Sequence, residues 1–290
     1  MFIDVHAHAY KYPYPTENDD YLFITPEELY KAQDDLEIEL SLINPVLGPE
    51  LYVPQSVGEV IDMANDSGGR YIAMCNVDPR ALTNSSDAPL GKLLEHYKAL
   101  GCVGIGEVMP NLPWEDERMQ NLLACVEKVE LPLIFDMTGR INCSYGIYDK
   151  PGMPGLRMCL EKFPDLKFIG HGPSFWAEIS VLRSPEDITG YPDYPVIGEG
   201  EMPKMLREYP NLYAELSAGS GYNALARDEE NAVSFLNEFS DKLMYGTDIC
   251  YSWQRPETAS FLKRLRSEGK LSEDNFQKIA KGNAKALFKL

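Results

Sequence analysis

Residues 2–8 of the chain read FIDVHAH, a largely apolar run that ends in two histidines one residue apart. Side chains alternate between the two faces of an extended strand, so residues two apart point the same way. The stretch therefore predicts a β-strand whose end carries His6 and His8 side by side. Such a pair is either a metal-binding motif or two packed strand histidines, and the motif alone does not decide between them.

Seven further runs rich in apolar, β-branched or aromatic residues follow, most of them separated by stretches of helical periodicity. They are IELSLINP, YIAMCNVDP, CVGIGEV, LPLIFDM, KFIGHGP, NLYAELSA and LMYGTDI. Strands alternating with helices are typical of a parallel sheet, and eight strands in 290 residues favour a closed (β/α)8 TIM barrel of the α/β class. An open doubly wound sheet is the alternative. It normally has a glycine-rich loop after its first strand, which HAHAYKYPYP lacks.

Long loops and a helical tail complete the predicted barrel, and we expect residues 1–290 to form a single domain. The tail SFLKRLRSEGKLSEDNFQKIAKGNAKALFKL predicts extra C-terminal helices. Three long loops rich in Tyr, Pro and Gly, residues 9–26, 138–155 and 173–200, each follow a strand. We therefore expect them over the C-terminal mouth, where barrel enzymes have their active sites.

Composition narrows the classes of partner. The formal net charge is -18, which disfavours a nucleic-acid scaffold or an anionic membrane surface as partner. The six cysteines form no CxxC pair, which indicates reduced thiols. The first residues lack the pattern of a signal peptide, and no run is long and apolar enough for a membrane span. We expect a cytoplasmic protein with a small-molecule substrate, and we leave open whether it is a homo-oligomer.

Five possible metal ligands lie at the ends of four of the predicted strand segments. They are His6 and His8 after the first strand, Glu107 after the fourth, His171 after the sixth and Asp248 after the eighth. In a barrel these ends meet at one mouth. Three of the four histidines in the chain lie at these positions, and the fourth, His96, lies in a helical stretch. Imidazoles with carboxylates suit Zn, with Mn or Fe(II) as alternatives. The alternative, purely structural interpretations are that Asp248 caps a turn and that Glu107 is a buried ion-pair partner.

The motifs DVHAH, VGIGEV, FIGHGP and YGTDI, with the closing GNAKALFKL, resemble the amidohydrolase superfamily, in particular its amidohydrolase 2 branch. The resemblance implies a metal-dependent barrel in which His6, His8 and Asp248 are ligands of a divalent metal, usually zinc. It also implies that Asp248 is the general base, and that His171 binds a second metal or polarises the substrate. Glu107 matches a glutamate ligand of deoxyribonuclease-like relatives.

One position departs from that pattern. Many relatives carry a histidine near the end of the fifth strand, where this chain has Asp136 in LPLIFDMTG. Asp136 either ligates through oxygen or leaves the site mononuclear. Asp4 is expected to bind backbone or a ligand histidine rather than the metal.

Residues that could recognise a substrate are less distinctive. Arg140 and Arg255, in loops after the fifth and eighth strands, could pair with a substrate carboxylate, although a surface arginine is an equally good interpretation of either. Trp176 and Tyr251, with Tyr10, Tyr12 and Tyr14, could form an aromatic wall at the mouth, or could only cover the rim of the barrel.

Three functions follow from these patterns. The preferred one is a metal-dependent hydrolase of an amide, ester or lactone bond, with Asp248 as proton carrier and either the metal or His171 as oxyanion stabiliser. The alternative is a non-oxidative decarboxylase or hydratase of a carboxylated, aromatic or muconate-like substrate, because the same branch includes such enzymes. The third is a barrel without metal that serves as a binding protein, for which Asp136 is the best argument.

Overall fold

The computed structural model describes residues 1–15, 21–51, 53–142 and 145–290. Its main feature is a set of eight parallel strands that coincide with the eight runs singled out in the sequence. In chain order, β1 to β8 are Phe2–Ala7, Ile38–Ile43, Tyr71–Ala73, Ile105–Val108, Leu133–Thr138, Phe168–His171, Leu212–Glu215 and Leu243–Met244. The expectation of an α/β barrel is confirmed.

The strands pair in the order of the chain. Strands β1 to β3 form one sheet and β4 to β8 a second, with every pairing parallel. Single bridges join the two sheets at both edges, Cys75 with Ile105 and Ala7 with Ile249. The amide of Val5 also donates to the carbonyl of Tyr245 at 3.1 Å. The first strand therefore lies beside the last, as it does in a barrel.

Helices connect the strands and continue beyond the last of them. In chain order, α1 to α12 are Pro26–Leu36, Val57–Asp66, Leu90–Ala99, Glu117–Val129, Pro154–Lys162, Pro173–Ala177, Glu201–Glu208, Ala218–Ala226, Glu229–Glu238, Thr258–Ser267, Glu273–Gln277 and Asn283–Phe288. Helix α1 shows how local sequence starts such an element. Thr25 accepts a hydrogen bond from the amide of Glu28, the Glu28 carboxylate accepts one from the amide of Thr25, and Pro26 occupies the first helical position.

Two layers of buried side chains hold the barrel together. The larger cluster lies between strands and helices, and includes Phe2, Trp114, Phe135 and Phe168. A second cluster combines side chains of six strand segments with Ala284 and Phe288 of α12; its strand members are Ile3, Val5, Leu42, Met74, Ile134, Ile169 and Met244. Side chains from six strands can meet in one cluster only inside the barrel. The predicted C-terminal helices thus include one that packs against this interior.

The three long loops contain short elements of their own. The loop after β1 holds a two-stranded antiparallel pair, Tyr14–Pro15 with Tyr21–Leu22. The loop after β5 returns as Ile147–Tyr148, which pairs with Met137 and Thr138. The loop after β6 contains α6 and a 3-10 helix, Pro185–Thr189. Among the described helices, none has the length and apolarity that crossing a membrane requires.

Candidate metal centre and mouth cavity

Three donor atoms from opposite ends of the chain meet at the C-terminal mouth of the barrel. Nε2 of His6 and Nε2 of His8 lie 3.2 Å apart. Oδ1 of Asp248 lies 3.2 Å from Nε2 of His8 and 3.8 Å from Nε2 of His6. The side-by-side placement expected from strand alternation is confirmed. Neutral imidazoles and a carboxylate at such distances form a donor set that a divalent cation can occupy.

A second donor set adjoins the first through Glu107. Oε2 of Glu107 lies 3.4 Å from Nε2 of His6, and its Oε1 lies 3.6 Å from Nε2 of His171. Glu107, Asp136 and His171 offer ligand atoms that all lie within 4.8 Å of one another. Oδ1 of buried Asp136 has no hydrogen-bond partner among the described residues. Asp136 thus lies at the mouth, beside Glu107 and His171.

The outer nitrogens of the three histidines all have acceptors. Nδ1 of His8 lies 2.9 Å from the carbonyl oxygen of Asn44. Nδ1 of His6 lies 3.2 Å from Oε1 of Glu215, and Nδ1 of His171 also contacts that oxygen. We assign the proton to Nδ1 in each ring, because a carbonyl or carboxylate oxygen can only accept. In this tautomer Nε2 of His6 and Nε2 of His8 each present a lone pair to the centre of the site, as in histidines that bind metals. The residues therefore fit a metal ion.

Glu215 is the functional residue that sequence reasoning missed. It ends β7, is fully buried and contacts two of the three site histidines. The hydroxyl of Ser217 donates a further hydrogen bond to Oε1 at 2.9 Å, and the amide of Ser217 donates to Oε2 at 2.8 Å. The run NLYAELSA could have indicated it, because Glu215 lies at the end of a predicted strand, as the predicted ligands do.

Asp4 has the supporting role expected of it. Its Oδ1 accepts hydrogen bonds from the amides of His6 at 3.0 Å and Thr247 at 2.9 Å, and its Oδ2 accepts one from the Thr247 hydroxyl at 2.6 Å. Thr247 is the neighbour of Asp248, whose backbone has a φ of 54°, a conformation that aspartate tolerates better than most residues. Asp4 therefore fixes the segment that brings Asp248 to His6 and His8.

The charges of the cluster shift the pKa values of its members. Burial raises the pKa of Asp248, but the hydrogen bond with His8 and the charges of His6 and His171 outweigh it and bring the pKa to about 2. Burial lowers the pKa of His171, but the Glu215 charge outweighs it and raises the pKa to about 9. Burial and the Glu107 charge raise the pKa of Asp136 to about 8. Without a metal, protonated imidazoles supply the positive charge that these carboxylates require.

A cavity of about 380 Å³ opens above the donor atoms. All three long loops contribute to it, through Phe23, Tyr145, Pro173 and Tyr191. Its other walls include Val46, Leu51, Met109, Ser220, Cys250 and Tyr251. Among the described residues that line it there is no arginine or lysine. The mouth therefore combines aromatic and aliphatic walls with a floor of histidines and carboxylates.

The predicted substrate-binding residues lie away from this cavity. Arg140 and Arg255 are exposed; Arg140 donates to the Thr189 hydroxyl at 3.3 Å, and Arg255 donates to nearby backbone carbonyls. Trp176 is 1% exposed and packs edge-on against Phe175 and Phe235 in the core, so it does not form part of the wall. That Arg140 and Arg255 bind a substrate carboxylate stays a prediction, because neither arginine lines the cavity.

The aromatic wall of the cavity is formed by one of the expected tyrosines and by two others. Tyr10 is buried and stacks on Phe23, while Tyr12 and Tyr14 are exposed. Only Tyr251 of the expected group lines the cavity, together with Tyr145 and Tyr191.

An eight-stranded barrel with histidines and carboxylates at its C-terminal mouth is the arrangement of a class of barrel enzymes. A comparison with protein families identifies the family within that class. The model of the amidohydrolase family matches residues 3–290, so the chain belongs to that family. A search of curated proteins finds no significant match.

Solved structures share the fold at low sequence identity. An uncharacterised TIM-barrel protein from Bordetella bronchiseptica is 16% identical with a TM-score of 0.66, over 99% of this chain and 98% of its own. A zinc-bound amidohydrolase from Burkholderia multivorans is 13% identical with a TM-score of 0.62, over 100% and 99%. A 2,6-dihydroxybenzoate decarboxylase is 16% identical with a TM-score of 0.57, over 100% of this chain and 98% of its own. At these identities the likeness extends to the fold alone, and such folds host both hydrolases and decarboxylases.

Proposed function

We propose that this protein is a metal-dependent hydrolase that acts on an amide, ester or lactone bond of a small, uncharged molecule. The observation that carries the proposal is the mouth cavity, where a donor set for a divalent cation forms the floor and no described lining residue is an arginine or a lysine. A substrate carboxylate buried there would lack the arginine or lysine that normally pairs with it. An uncharged carbonyl compound can bind there without the free-energy cost of burying an unpaired charge. The decarboxylase alternative lacks this support.

Zinc is the proposed metal, with His6, His8 and Asp248 as its ligands and Glu107 beside them. Two imidazoles with carboxylates suit zinc, and the bound ion would supply Lewis acidity that acidifies water and polarises a carbonyl group. The free state of the five described cysteines supports the proposed cytoplasmic location, since disulfides are rare there.

The remaining roles belong to the residues of the chain. Asp248 is proposed to accept the proton of the attacking water through its carboxylate and to pass it to the leaving group. His171, oriented by Glu215, is proposed to donate a hydrogen bond from Nε2 to the oxygen that gains charge in the transition state. This role requires a proton on each nitrogen of His171, a form that the charge of the Glu215 carboxylate stabilises. The apolar walls would exclude water from the other side of the substrate.

The first experiment combines metal analysis with a substrate panel. The purified protein and its His8→Ala, Asp248→Asn and His96→Asn variants are stripped of metal, reloaded with zinc or manganese, and analysed for metal per chain. Each is then assayed against neutral lactones, esters and amides and against aromatic carboxylic acids. His96 is exposed on α3, so His96→Asn is the matched histidine control.

We expect metal and hydrolysis of a neutral class in the parent protein and in His96→Asn, and their loss in the other two variants. Release of carbon dioxide from an aromatic acid, reduced by Arg140→Ala or Arg255→Ala, would instead establish the decarboxylase alternative. A protein that binds neither zinc nor manganese would be the barrel without metal.

A further inference from the structure

The first turn of α8 borders the mouth cavity directly beside the donor cluster. The helix, Ala218–Ala226, begins three residues after Glu215, and Ala218 and Ser220 line the same cavity as Asp248 and His171. The metal-ligand arrangement does not use these two residues. They form a part of the wall that faces a substrate without taking part in the proposed proton transfers.

The start of this helix carries hydrogen-bond donors that the protein leaves available. No side chain caps it, because the Ser217 hydroxyl contacts Glu215 and His171 instead. The amide of Ala218 donates to the Thr247 carbonyl at 3.4 Å, whereas the amides of Gly219 and Ser220 have no acceptor among the described residues. Free amides at a helix start carry a partial positive charge and attract acceptor oxygens.

Ser220 provides a second and independent sign of a ligand. Its side chain lies in the cavity wall and is 1% exposed, yet its hydroxyl has no hydrogen-bond partner among the described residues. A buried hydroxyl without a partner costs free energy, which a bound acceptor recovers. The Tyr191 side chain lies beside this helix start, since a Cβ added to Gly219 would be 3.8 Å from the Tyr191 hydroxyl. An aromatic ring of the cavity wall thus borders the first turn of α8.

We propose that the first turn of α8, with the Ser220 hydroxyl and the amides of Gly219 and Ser220, binds a second acceptor oxygen of the substrate, remote from the carbonyl that reacts. The inference rests on the proposed function, because it assumes that the reacting carbonyl lies over the donor cluster. It narrows the substrate class to molecules with two oxygen-containing groups. One group contains the carbonyl that reacts, and the other is bound by the first turn of α8. Ser220 would set specificity without taking part in bond cleavage.

Hydroxamates test this subsite without a known substrate, because a hydroxamate group chelates zinc through two oxygens. Three matched tails are compared on the zinc-loaded protein by calorimetry: an alkyl tail, a tail of equal length that ends in a primary amide, and one that ends in a carboxylate. Each tail is made with two, three and four methylenes. The variants are Ser220→Ala and, as control, Ser240→Ala, which removes a buried hydroxyl that hydrogen-bonds Asn275 and does not line the cavity.

We expect the amide tail to bind about tenfold more tightly than the alkyl tail at one length, as one to two added hydrogen bonds allow. Ser220→Ala should reduce that preference at least about threefold without changing alkyl binding, and Ser240→Ala should leave it intact. A preference for the carboxylate tail alone would support the subsite, identify its ligand as an anion and overturn the proposal that the substrate is uncharged.

Equal affinity for all tails at every length, or a preference unchanged in Ser220→Ala, would overturn the subsite while leaving the proposed hydrolase standing. Failure of every hydroxamate to bind the zinc-loaded protein would overturn both, since no accessible metal would then lie under the cavity.

Discussion

Oε1 of Glu215 lies 3.2 Å from Nδ1 of His6, although 209 residues separate the two in sequence. The same oxygen contacts Nδ1 of His171, so a single carboxylate at the end of β7 orients two imidazoles of the site. Burial raises the pKa of Glu215, but the charges and hydrogen bonds of the two histidines outweigh it and hold the pKa far below its usual value. Glu215 is therefore an ionised acceptor that fixes the direction of both rings.

Replacing Glu215 should weaken metal binding although Glu215 is not in the proposed ligand set. Glu215→Gln keeps the size of the side chain and removes its charge, so we expect a loss in zinc affinity of about 10–100-fold. Competition with a chromogenic chelator measures it, and Glu95→Gln, on the exposed face of α3, is the control. An unchanged affinity would mean that Glu215 has only a structural role.

Asp136 should decide how many ions the site holds. Glu107, Asp136 and His171 form a donor set separate from His6, His8 and Asp248. We therefore expect Asp136→Asn to keep the tighter zinc equivalent and to lose any second, weaker one. Titration of the metal-free protein with zinc counts both equivalents. Loss of the tighter equivalent in Asp136→Asn would place Asp136 in the first set and contradict this assignment.

The stability of the metal-free protein should fall as pH rises from about 6.5 to about 9. The pKa of His171 is raised to about 9, so between these values the folded protein binds a proton that the unfolded chain has released. Its contribution is complete below about pH 6.5 and is lost as pH rises through about 9, up to about 3 kcal/mol. Bound zinc should offset the loss, because an ion that binds the folded protein and not the unfolded chain stabilises the folded state.

Thermal melts of the metal-free protein between pH 6 and 9.5 measure this trend. His171→Asn should reduce the slope, most clearly above about pH 8, where Asp136 has already lost its proton, whereas the exposed His96→Asn should leave the slope unchanged. A slope that persists in His171→Asn would assign the titration to another group.

Gly172 should be intolerant of a side chain. Its φ is +94°, and an added Cβ would lie 1.8 Å from Oδ1 of Asp136. Gly101 has a similar φ of +98° but open space around it. Both Gly→Ala variants should lose about 1–2 kcal/mol for the backbone conformation. Only Gly172→Ala should lose about 1–3 kcal/mol more through the clash. Chemical denaturation compares them, and equal losses would contradict the close approach.

Much of the barrel could be predicted from the sequence because local pattern and strand geometry act together there. The alternation in FIDVHAH placed His6 and His8 on one side, and the strand order brought Asp248 beside them. Each of these inferences needs only the period of a strand and the convergence of parallel strand ends. Glu215 also lies at the carboxyl end of a parallel strand. It contacts the histidines and not the proposed metal, and no sequence motif distinguishes such a residue from any other strand-end glutamate.

The walls of the cavity could not be predicted, because tertiary contacts set the shapes of its loops. Asn111 shows this: its side-chain amide donates to the carbonyls of Arg140 and Gly146 at 3.0 and 3.1 Å, and its Oδ1 accepts from the amide of Asn142 at 2.6 Å. Those bonds hold the loop that brings Tyr145 to the cavity while Arg140 stays outside it. No spacing in the sequence indicates such a partner.

The bridge between Ala7 and Ile249 has a consequence for how the protein is made. It joins the first strand to the segment after the last, and His8 and Asp248 lie on either side of it. During translation, His6 and His8 leave the ribosome long before Asp248 does. A nascent chain therefore holds an unfinished pair of imidazoles, and a complete donor set arises only when the last barrel strand has been synthesised. The proposed metal ion would therefore find its complete set of ligands only near the end of translation.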